Sequence, residues 1–459
     1  MLKKNDEITL TIDAMTAEGS GIGRHDGMAV FVPDTAVGDT VLCHIIKAKK
    51  NYAVGKAFKV FTASRDRVEP DCDVASKCGG CCYRHIAYEA ELRYKRQRVV
   101  DAFERIGHLD AEVLPVLGSA ETERYRNKAQ FPVQLDREHM PVLGFYAPNT
   151  HRVVPCDDCL LQPEEFNVVL RRVREWIIRR GITVYDEETR RGLLRHVYVR
   201  QGHVTKQLMV CLVVNGRADE VNVPRLSFLV DDLKETVPGF CSLSVNYNPA
   251  KTNVILGDET EVVYGNGFIE DELLGCTFRI SPKSFYQVNA PQAEALYRLA
   301  AERAGLTGKE VLLDLYCGTG TIGLTMASQC KHLYGVEIVP EAVEDARRNA
   351  AANGIENATF VCGDAADAAA RLKADGVTAD VILVDPPRKG LSQDLIGTIA
   401  EFGPERVVYI SCDPATLARD CARFAEHGWH IADAVQPVDL FPRTAHVETV
   451  VSLSQGRTS

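Results

Sequence analysis

The sequence lacks several features that would assign it to a class at once. No apolar run approaches the roughly 20 residues that a transmembrane helix needs. Its first residues, MLKKNDEITLTIDA, follow two lysines with acids and a strand-like pattern, which is not that of a signal peptide. Basic residues are not in excess either, since the 459 residues carry a formal net charge of −10. We therefore expect a cytoplasmic protein without a membrane partner, on which any surface for nucleic acid is local.

The 15 cysteines do not predict disulfides, because the cytoplasm keeps thiols reduced. They are expected to be core residues, metal ligands or catalysts. Seven stand alone without the spacing of metal ligands and are expected to be structural: Cys43, Cys211, Cys241, Cys276, Cys330, Cys362 and Cys421. The cysteines near residues 72–82 and 156–159, together with Cys412, are the candidates for chemistry.

Three regions of the chain differ in pattern. Residues 1–60 contain strand patterns and a glycine-rich turn, EGSGIGRHDG, and predict a small OB-like β-barrel. Residues 61–272 mix helix and strand patterns and predict an α+β central domain. Residues 273–459 alternate strands with helices, which predicts a doubly wound, Rossmann-like parallel sheet and an α/β fold class. No helix separates WHIADAV from VETVVSL, so we expect an antiparallel last strand at the end of this sheet.

Basic residues in the first two regions predict a local surface for nucleic acid. The barrel contributes one group: Lys47, Lys49, Lys50, Lys56 and Lys59. A basic helix candidate contributes a second: Arg93, Lys95, Arg96 and Arg98. The central domain adds a third: Arg124, Arg126, Lys128, Arg190, Arg191, Arg195 and Arg200. The alternative is an ordinary solvated surface.

A glycine motif follows the first strand of the third region. DLYCGTGTIG contains Gly318, Gly320 and Gly323 in G-x-G-x-x-G spacing, and Glu337 ends the next strand. Glycines allow a tight turn and a close approach to a ligand, and an acid at that distance can bind ribose hydroxyls. The pattern predicts a site for a nucleoside cofactor, either NAD or S-adenosylmethionine.

Polar residues stand where the strands of this sheet end, and parallel strands bring their carboxyl ends to one edge. We expect the following residues to converge there: Tyr316, Glu337, Asp364, Asp385, Cys412 and Glu448. Cys412 precedes Asp413, a good helix N-cap, and Pro414, a good first helical residue. The helix dipole favours the thiolate, whereas the charge of Asp413 opposes it. A thiol and a carboxylate at this edge suit covalent group transfer better than hydride transfer.

Several motifs together resemble the RNA (uracil-5-)-methyltransferase family: SPKSFYQVN, DLYCGTGTIG, VDPPRKG, YISCDPATLARD and LFPRTAHVETV. The resemblance is closest to 23S rRNA uracil-C5 methyltransferases that carry a TRAM domain and a [4Fe–4S] cluster. It implies a TRAM barrel in residues 1–60, a central RNA-binding domain in 61–272 and a class I S-adenosylmethionine-dependent methyltransferase domain in 273–459. Asp413 departs from the family, in which asparagine is commoner at this position.

The resemblance also implies roles for individual residues. Cys412 is the expected nucleophile that adds to C6 of uracil, and Glu448 is the expected base that removes the C5 proton. The cofactor site is expected to include the following residues: Gln287, Tyr316, Gly318, Glu337, Asp364 and Asp385. The expected partner is 23S rRNA, with tRNA as the alternative, and the expected state is a monomer. An NAD-dependent oxidoreductase and a non-catalytic RNA-binding protein are the other hypotheses.

The remaining cysteines offer two metal sites. Cys78-x2-Cys81 with Cys156-x2-Cys159 has the paired spacing of a zinc site. The resemblance instead implies a [4Fe–4S] cluster, which we favour, with these ligands: Cys72, Cys78, Cys81 and Cys159. Cys82 and Cys156 would then bind no metal. The CxxxCxxC spacing of radical enzymes is absent, so we expect the cluster to stabilise an RNA-binding region rather than to act in redox chemistry.

Overall fold

A computed structural model describes residues 2–455 of the chain. The chain divides into two compact units, each assembled from separate segments. The first unit combines the chain up to Ala120 with residues 387–391 and 410–451. The second combines residues 121–386 and 392–409 with the chain from Ser452 onward. The three-domain division of the sequence therefore stays a prediction.

The N-terminal region of the first unit is a closed five-stranded barrel, as predicted. Its strands follow the order β1-β2-β3-β5-β4 and have these bounds: β1 (Glu7–Met15), β2 (Gly21–His25), β3 (Met28–Val32), β4 (Thr40–Ala48) and β5 (Tyr52–Thr62). In β1, alternation places Ile8, Leu10 and Ile12 in the barrel core. The outward positions remain polar.

Helix α1 (Tyr88–Ala102) follows the barrel and passes into a π-helical turn, Phe103–Gly107. Gly107 packs against helix α9 (Pro414–Glu426) so closely that a Cβ atom there would lie 2.9 Å from the carbonyl oxygen of Ala418. This contact requires glycine, and it joins α1 to the C-terminal segment of the same unit.

The central part of the second unit is a seven-stranded sheet packed on two helices, which is an α+β arrangement. The strands follow the order β12-β11-β10-β9-β6-β7-β8. Their bounds are β6 (Lys128–Leu135), β7 (Pro141–Tyr146), β8 (Val153–Pro155), β9 (Leu194–Gln201), β10 (Leu208–Val214), β11 (Phe240–Tyr247) and β12 (Glu259–Tyr264). Helices α2 (Glu164–Arg180) and α3 (Leu226–Thr236) contribute Val173 and Leu229 to the core on one face of the sheet. A hairpin of β13 (Ile269–Leu273) and β14 (Cys276–Ile280) follows.

The last sheet has eight strands in the order β17-β16-β15-β18-β19-β22-β20, and β21 pairs with β22. Its strands are β15 (Val311–Leu315), β16 (His332–Glu337), β17 (Ala358–Cys362), β18 (Val381–Val384), β19 (Arg406–Ser411), β20 (Trp429–Ile431), β21 (Gln436–Val438) and β22 (Glu448–Gln455). Its other helices are α4 (Ala290–Ala304), α5 (Thr321–Met326), α6 (Pro340–Ala352), α7 (Ala365–Ala374) and α8 (Gln393–Phe402), with a 3-10 turn at Ala327–Gln329. Strands β15 to β19 pair in parallel, and the strand order reverses between β15 and β18. That reversal marks where such sheets bind ligands.

Two expectations need correction. β22 pairs antiparallel with β21, but it lies between β19 and β20, so it is not the end strand of the sheet. Cys362 is exposed at the end of β17, so it does not fill the core as expected. Within residues 2–455, none of the helices is both long enough and apolar enough to cross a bilayer.

Candidate active site

The loop after β15 has an unusual backbone. Tyr316 has a φ of +94°, and Gly318 and Gly320 have φ values of +54° and +83°. The amides of Tyr316 and Cys317 both donate to the carbonyl oxygen of Val336, at 2.9 Å each, which turns the chain sharply. Left-handed backbone is strained for a bulky residue such as tyrosine, and strain of this kind concentrates at functional sites. The glycine motif is therefore a shaped loop and not an ordinary turn.

Glu337 lies at the end of β16, as the sequence predicts, and its side chain closes this loop. Its carboxylate accepts hydrogen bonds from the amide of Gly318 at 3.1 Å and from the amide of Val339 at 2.9 Å. Apart from its chain neighbours, no described residue comes within 4 Å of the position that a Cβ of Gly318 would occupy, so the side of the loop is open. Each carboxylate oxygen has further acceptor capacity, which suits the hydroxyls of a ribose.

Two buried carboxyl groups occupy neighbouring strands near this loop, and the sequence analysis identified only one of them. Asp385 follows β18, and desolvation raises its pKa to about 7 although part of its surface is accessible. Asp314, within β15, is 1% exposed, and burial, with the nearby Asp385, raises its pKa to about 8. Neither oxygen of Asp314 has a hydrogen-bond partner of normal geometry among the described residues. A single acid inside the apolar run VLLDLY was the signal in the sequence.

Gln287 lies in the loop between β14 and α4, whose backbone is held at several points. The side chain of Asn127 donates to the carbonyl oxygen of Gln287 at 3.0 Å. Arg200, with no exposed surface, donates to three carbonyl oxygens of the same loop, those of Ser281, Ser284 and Tyr286. The loop that carries Gln287 is therefore fixed by the central sheet of its own unit.

Asp364 is exposed just after β17, and its side chain caps α7 by accepting the amide of Ala366 at 2.9 Å. Because β15 to β18 are parallel, Tyr316, Glu337, Asp364 and Asp385 all follow or end strands at the same edge of the sheet. The structure thus brings these predicted residues to one edge. For Asp364 it shows a capping role, and its contact with a cofactor stays a prediction.

Cys412 lies in the other unit, between the end of β19 and the start of α9. Asp413 is the N-cap of α9, because its carboxylate accepts the amides of Ala415 at 2.9 Å and Thr416 at 3.4 Å. Pro414 is the first helical residue, as predicted. The thiol is partly exposed and lies beside the positive end of the helix dipole. The helix dipole favours a thiolate here, while the neighbouring carboxylate of Asp413 opposes it.

Glu448 is the first residue of β22 and is only 5% exposed. It lies opposite Val438 of β21 in the antiparallel register. Strands β19 and β22 are neighbours in the sheet, so the strand that ends before Cys412 lies beside the strand that begins at Glu448. The structure therefore places both predicted catalytic residues in one compact unit.

Several basic side chains that the sequence predicts to face nucleic acid bond instead to acceptors within the protein. In α1, Arg93 and Lys95 form ion pairs with acids, while Arg96 and Arg98 donate to backbone carbonyls. In the second unit, Arg124, Arg195 and Arg200 likewise bond to protein acceptors. These side chains have a structural use. By contrast, the barrel lysines are all exposed: Lys47, Lys49, Lys50, Lys56 and Lys59.

Lys128 remains a candidate for an anionic ligand. It lies directly opposite Arg200 in the antiparallel register of β6 and β9, and like charges in such positions are destabilising. Burial, helped by Arg200 and Arg126, lowers the pKa of Lys128 to about 8. No carboxylate within residues 2–455 forms a salt bridge with it. A phosphate would relieve this repulsion.

The cysteine segment gives no closed metal site. Among residues 2–455, no group of three or more His, Cys, Asp or Glu side chains is arranged to hold a metal ion. The amide of Gly80 donates to the sulfur of Cys78 at 3.4 Å, which is a contact that suits a thiolate. Burial raises the pKa of Cys82 to about 11. The iron–sulfur cluster and its ligands stay a prediction.

Comparison with known proteins identifies the family. The family model described as tRNA (uracil-5-)-methyltransferase matches residues 87–456, and the TRAM domain model matches residues 2–58. The chain belongs to the tRNA (uracil-5-)-methyltransferase family. This membership removes the grounds for the oxidoreductase hypothesis and for a non-catalytic RNA-binding protein.

Relatives and a solved structure agree with this family across the whole chain. An "Uncharacterized RNA methyltransferase" of Halalkalibacterium halodurans is 46% identical over 98% of both chains. A protein of the same description from Clostridium tetani is 42% identical over 99% of this chain and 97% of its own. The crystal structure of Pyrococcus abyssi tRNA (uracil-54, C5)-methyltransferase with S-adenosyl-L-homocysteine is similar at a TM-score of 0.77. It is 27% identical and covers 97% of this chain and 99% of its own.

Proposed function

We propose that this protein transfers a methyl group from S-adenosylmethionine to C5 of a uridine in RNA, through a covalent bond between Cys412 and C6 of the base. The observation that carries the proposal is the placement of Cys412 just before α9 and directly after β19, the strand next to the one that begins at Glu448. A methyl transfer to an already nucleophilic atom would need neither residue.

Cys412 supplies the first step. Uracil C5 is a poor nucleophile, and addition of the Cys412 thiolate to C6 forms an S–C6 bond and gives C5 the character of an enolate. S-adenosylmethionine, when bound, supplies an electrophilic methyl group to that carbon. The helix dipole at the start of α9 favours the thiolate that the step requires.

Glu448 completes the reaction as a general base. It takes the proton from C5, the electron pair of that C–H bond restores the C5–C6 double bond, and the S–C6 bond breaks to release the Cys412 thiolate. The 5% exposure of Glu448 limits competition from water for this carboxylate. The proton then passes to solvent, so the enzyme returns unchanged.

The loop after β15 fits the nucleoside part of S-adenosylmethionine. Glu337 would bind the ribose hydroxyls, and the open side of Gly318 would let the ligand approach the backbone. We assign Gln287, Tyr316 and Asp385 to the same cofactor site, with Asp364 at its margin. The homologous P. abyssi enzyme, crystallised with S-adenosyl-L-homocysteine, supports S-adenosylmethionine as the cofactor.

The proposed partner is 23S rRNA, with the protein acting as a cytoplasmic monomer. A uridine of tRNA is the second candidate, because the P. abyssi neighbour is a tRNA (uracil-54, C5)-methyltransferase. Mapping 5-methyluridine in both RNAs from a strain that lacks the gene tests the choice. Loss of one modified uridine in 23S rRNA is expected, and loss confined to tRNA would select the second candidate.

The covalent mechanism can be tested by two substitutions. Cys412→Ala should abolish methyl transfer and leave S-adenosylmethionine binding nearly unchanged, whereas the control Cys241→Ala should retain both methyl transfer and cofactor binding. Glu448→Gln should leave a protein–RNA adduct that survives a denaturing gel. Continued turnover by Cys412→Ala would refute the covalent step, and normal product release by Glu448→Gln would assign the base to another group.

We also propose that Cys72, Cys78, Cys81 and Cys159 hold a [4Fe–4S] cluster. The family resemblance supports this assignment, and an anaerobic preparation should be brown, with absorbance near ~400 nm and bound iron. Stoichiometric zinc in a colourless protein would contradict it in favour of the paired CxxC site.

A further inference from the structure

Residues of helix α1 form part of a buried cluster of charged side chains that has no role in the proposed reaction. Lys95 is 1% exposed, and its ammonium group lies 2.6 Å from a carboxylate oxygen of Glu91 and 2.7 Å from one of Asp439. It also donates to the carbonyl oxygen of Phe441 at 3.2 Å. The other oxygen of Asp439 accepts the hydroxyl of Tyr88 at 2.7 Å. Because burying charged groups has a desolvation cost, such a cluster contributes little net stability to the fold.

The cluster forms part of a longer line of contacts. Glu91, Lys95 and Arg98 lie on one face of α1, at the spacing of successive helical turns. Glu91 accepts the amide of Arg443 at 2.8 Å, and Arg98 donates to the carbonyl oxygen of Ala445 at 2.8 Å. One helix face therefore contacts every second residue of a single loop, at positions 439, 441, 443 and 445.

That loop, residues 439–447, connects β21 to β22 and ends at Glu448. The last residue of β21, Val438, lies opposite Glu448 in the antiparallel register, so both ends of the loop meet at the proposed base. Tyr83 donates its amide to the carbonyl oxygen of Arg443 at 3.1 Å, which adds a further contact from the segment before α1. These hydrogen bonds from α1 and Tyr83 restrict the movement of the 439–447 loop.

We propose that Lys95, together with Glu91 and Asp439, is a positioning cluster that fixes the 439–447 loop and so sets the place of the Glu448 carboxylate for removal of the C5 proton. The inference rests on the proposed role of Glu448 as base. Loss of the cluster should then slow proton removal and release of Cys412, while the formation of the adduct and the methyl transfer proceed.

Lys95→Met tests the proposal, because methionine keeps most of the length and removes the charge. In a single turnover with labelled methyl donor and a substrate RNA, methyl incorporation should stay within about twofold, while the methylated protein–RNA adduct persists about 10- to 100-fold longer. Lys95→Arg should restore part of the release. Arg93→Met, on the exposed side of the same helix, is the matched control and should release product normally.

A second variant separates positioning from stability. Glu91→Gln, Lys95→Met and Asp439→Asn combined leave no uncompensated charge, so the melting temperature should recover, while adduct release stays slow. Release that recovers together with the melting temperature, or a Lys95→Met variant that loses adduct formation and release equally, would overturn the proposal. If Lys95→Met fails to fold, Arg98→Met provides the same comparison through the Ala445 contact alone. A wild-type protein that forms neither adduct nor 5-methyluridine would refute the proposed function instead.

Discussion

Among the places where this protein buries carboxyl groups, two differ in how the charge is compensated. In the first unit, Glu91 and Asp439 share the buried ammonium group of Lys95. In the second unit, Asp314 and Asp385 lie near each other, and no described cation is among the groups that influence their pKa values. Burial is the main cause of a raised pKa in both places, with values of about 7 for Glu91, about 8 for Asp314 and about 7 for Asp385.

The difference separates a structural cluster from a binding site. At the Lys95 cluster the protein supplies the cation, so the two acids are paired without a ligand and the cluster fixes the 439–447 loop. Where it supplies none, the carboxyl groups are held at a cost in free energy and can be stabilised by a ligand. S-adenosylmethionine carries a positive sulfonium and ribose hydroxyls, so the second arrangement fits the proposed cofactor. Substitutions in the two places should therefore have opposite effects.

The largest effect on stability is expected at the paired cluster. Lys95→Met leaves two buried acids without a cation and should lower the free energy of unfolding by about 3–5 kcal/mol. Denaturant titration measures this change, and Arg93→Met, whose side chain is more than half exposed, should cost less than about 1 kcal/mol. A loss of less than 1 kcal/mol for Lys95→Met would show that the cluster adapts easily to the missing charge.

Substitution of Asp385, which belongs to the site without a described cation, should have the opposite effect on stability. Asp385→Asn removes a desolvated carboxyl group that forms no ion pair among the described residues, so stability at neutral pH should be unchanged or higher. Binding of S-adenosylmethionine should weaken by about 10- to 100-fold, which is the value of a charge-assisted hydrogen bond. Calorimetric titration and thermal melting give both quantities. Weaker folding together with unchanged binding would reverse the assignment of Asp385.

The pH dependence of stability tests one of the unpaired carboxyl groups specifically. Asp314 has a pKa raised from 3.8 to about 8, so the folded state holds a proton that the unfolded state has lost between these values. The free energy of unfolding should therefore fall as pH rises from about 4 to about 8, by up to ~1.4 kcal/mol per pH unit for this group. Asp314→Asn should flatten that slope in denaturant titrations of the apo protein. A slope equal to that of the wild type would show that Asp314 is ionised throughout.

The same contrast explains what the sequence could predict. Alternation and turn patterns were sufficient for the barrel, and the strand–glycine–helix order was sufficient for the parallel sheet, because both follow from local periodicity. The edge residues Tyr316, Glu337 and Asp385 were also predictable, since parallel strands share one edge. The buried position of Lys95 was not predictable, because its partner Asp439 lies 344 residues away in the sequence. From sequence alone, a basic residue on a helix is predicted to be exposed, and only the fold reveals its tertiary partner.

Arg200 shows the same limit in the other unit. It was predicted to face nucleic acid, yet it bonds to carbonyl oxygens more than 80 residues away in the sequence. Asp314 is the reverse case, because an acid inside an apolar strand is visible in the sequence and indicates a buried carboxyl group. Charge in a sequence thus indicates where a partner is needed, and the fold decides whether the protein or a ligand provides it.

The smallest effect is expected on the barrel, whose lysines have no acid to pair with in the described chain. Lys56 and Lys59 are exposed on β5, and Lys59 lies 5.1 Å from the ring of Phe61, which is itself 51% exposed. Lys56→Ala and Lys59→Ala should each weaken RNA binding a few-fold and reduce the slope of log K against log salt by about 0.7–0.9. Turnover at saturating RNA should not change, because the barrel contributes no group to the proposed chemistry. Lys331→Ala, an exposed lysine of the second unit, is the control, and an equal change in its salt slope would show that these effects reflect general charge and not a barrel surface.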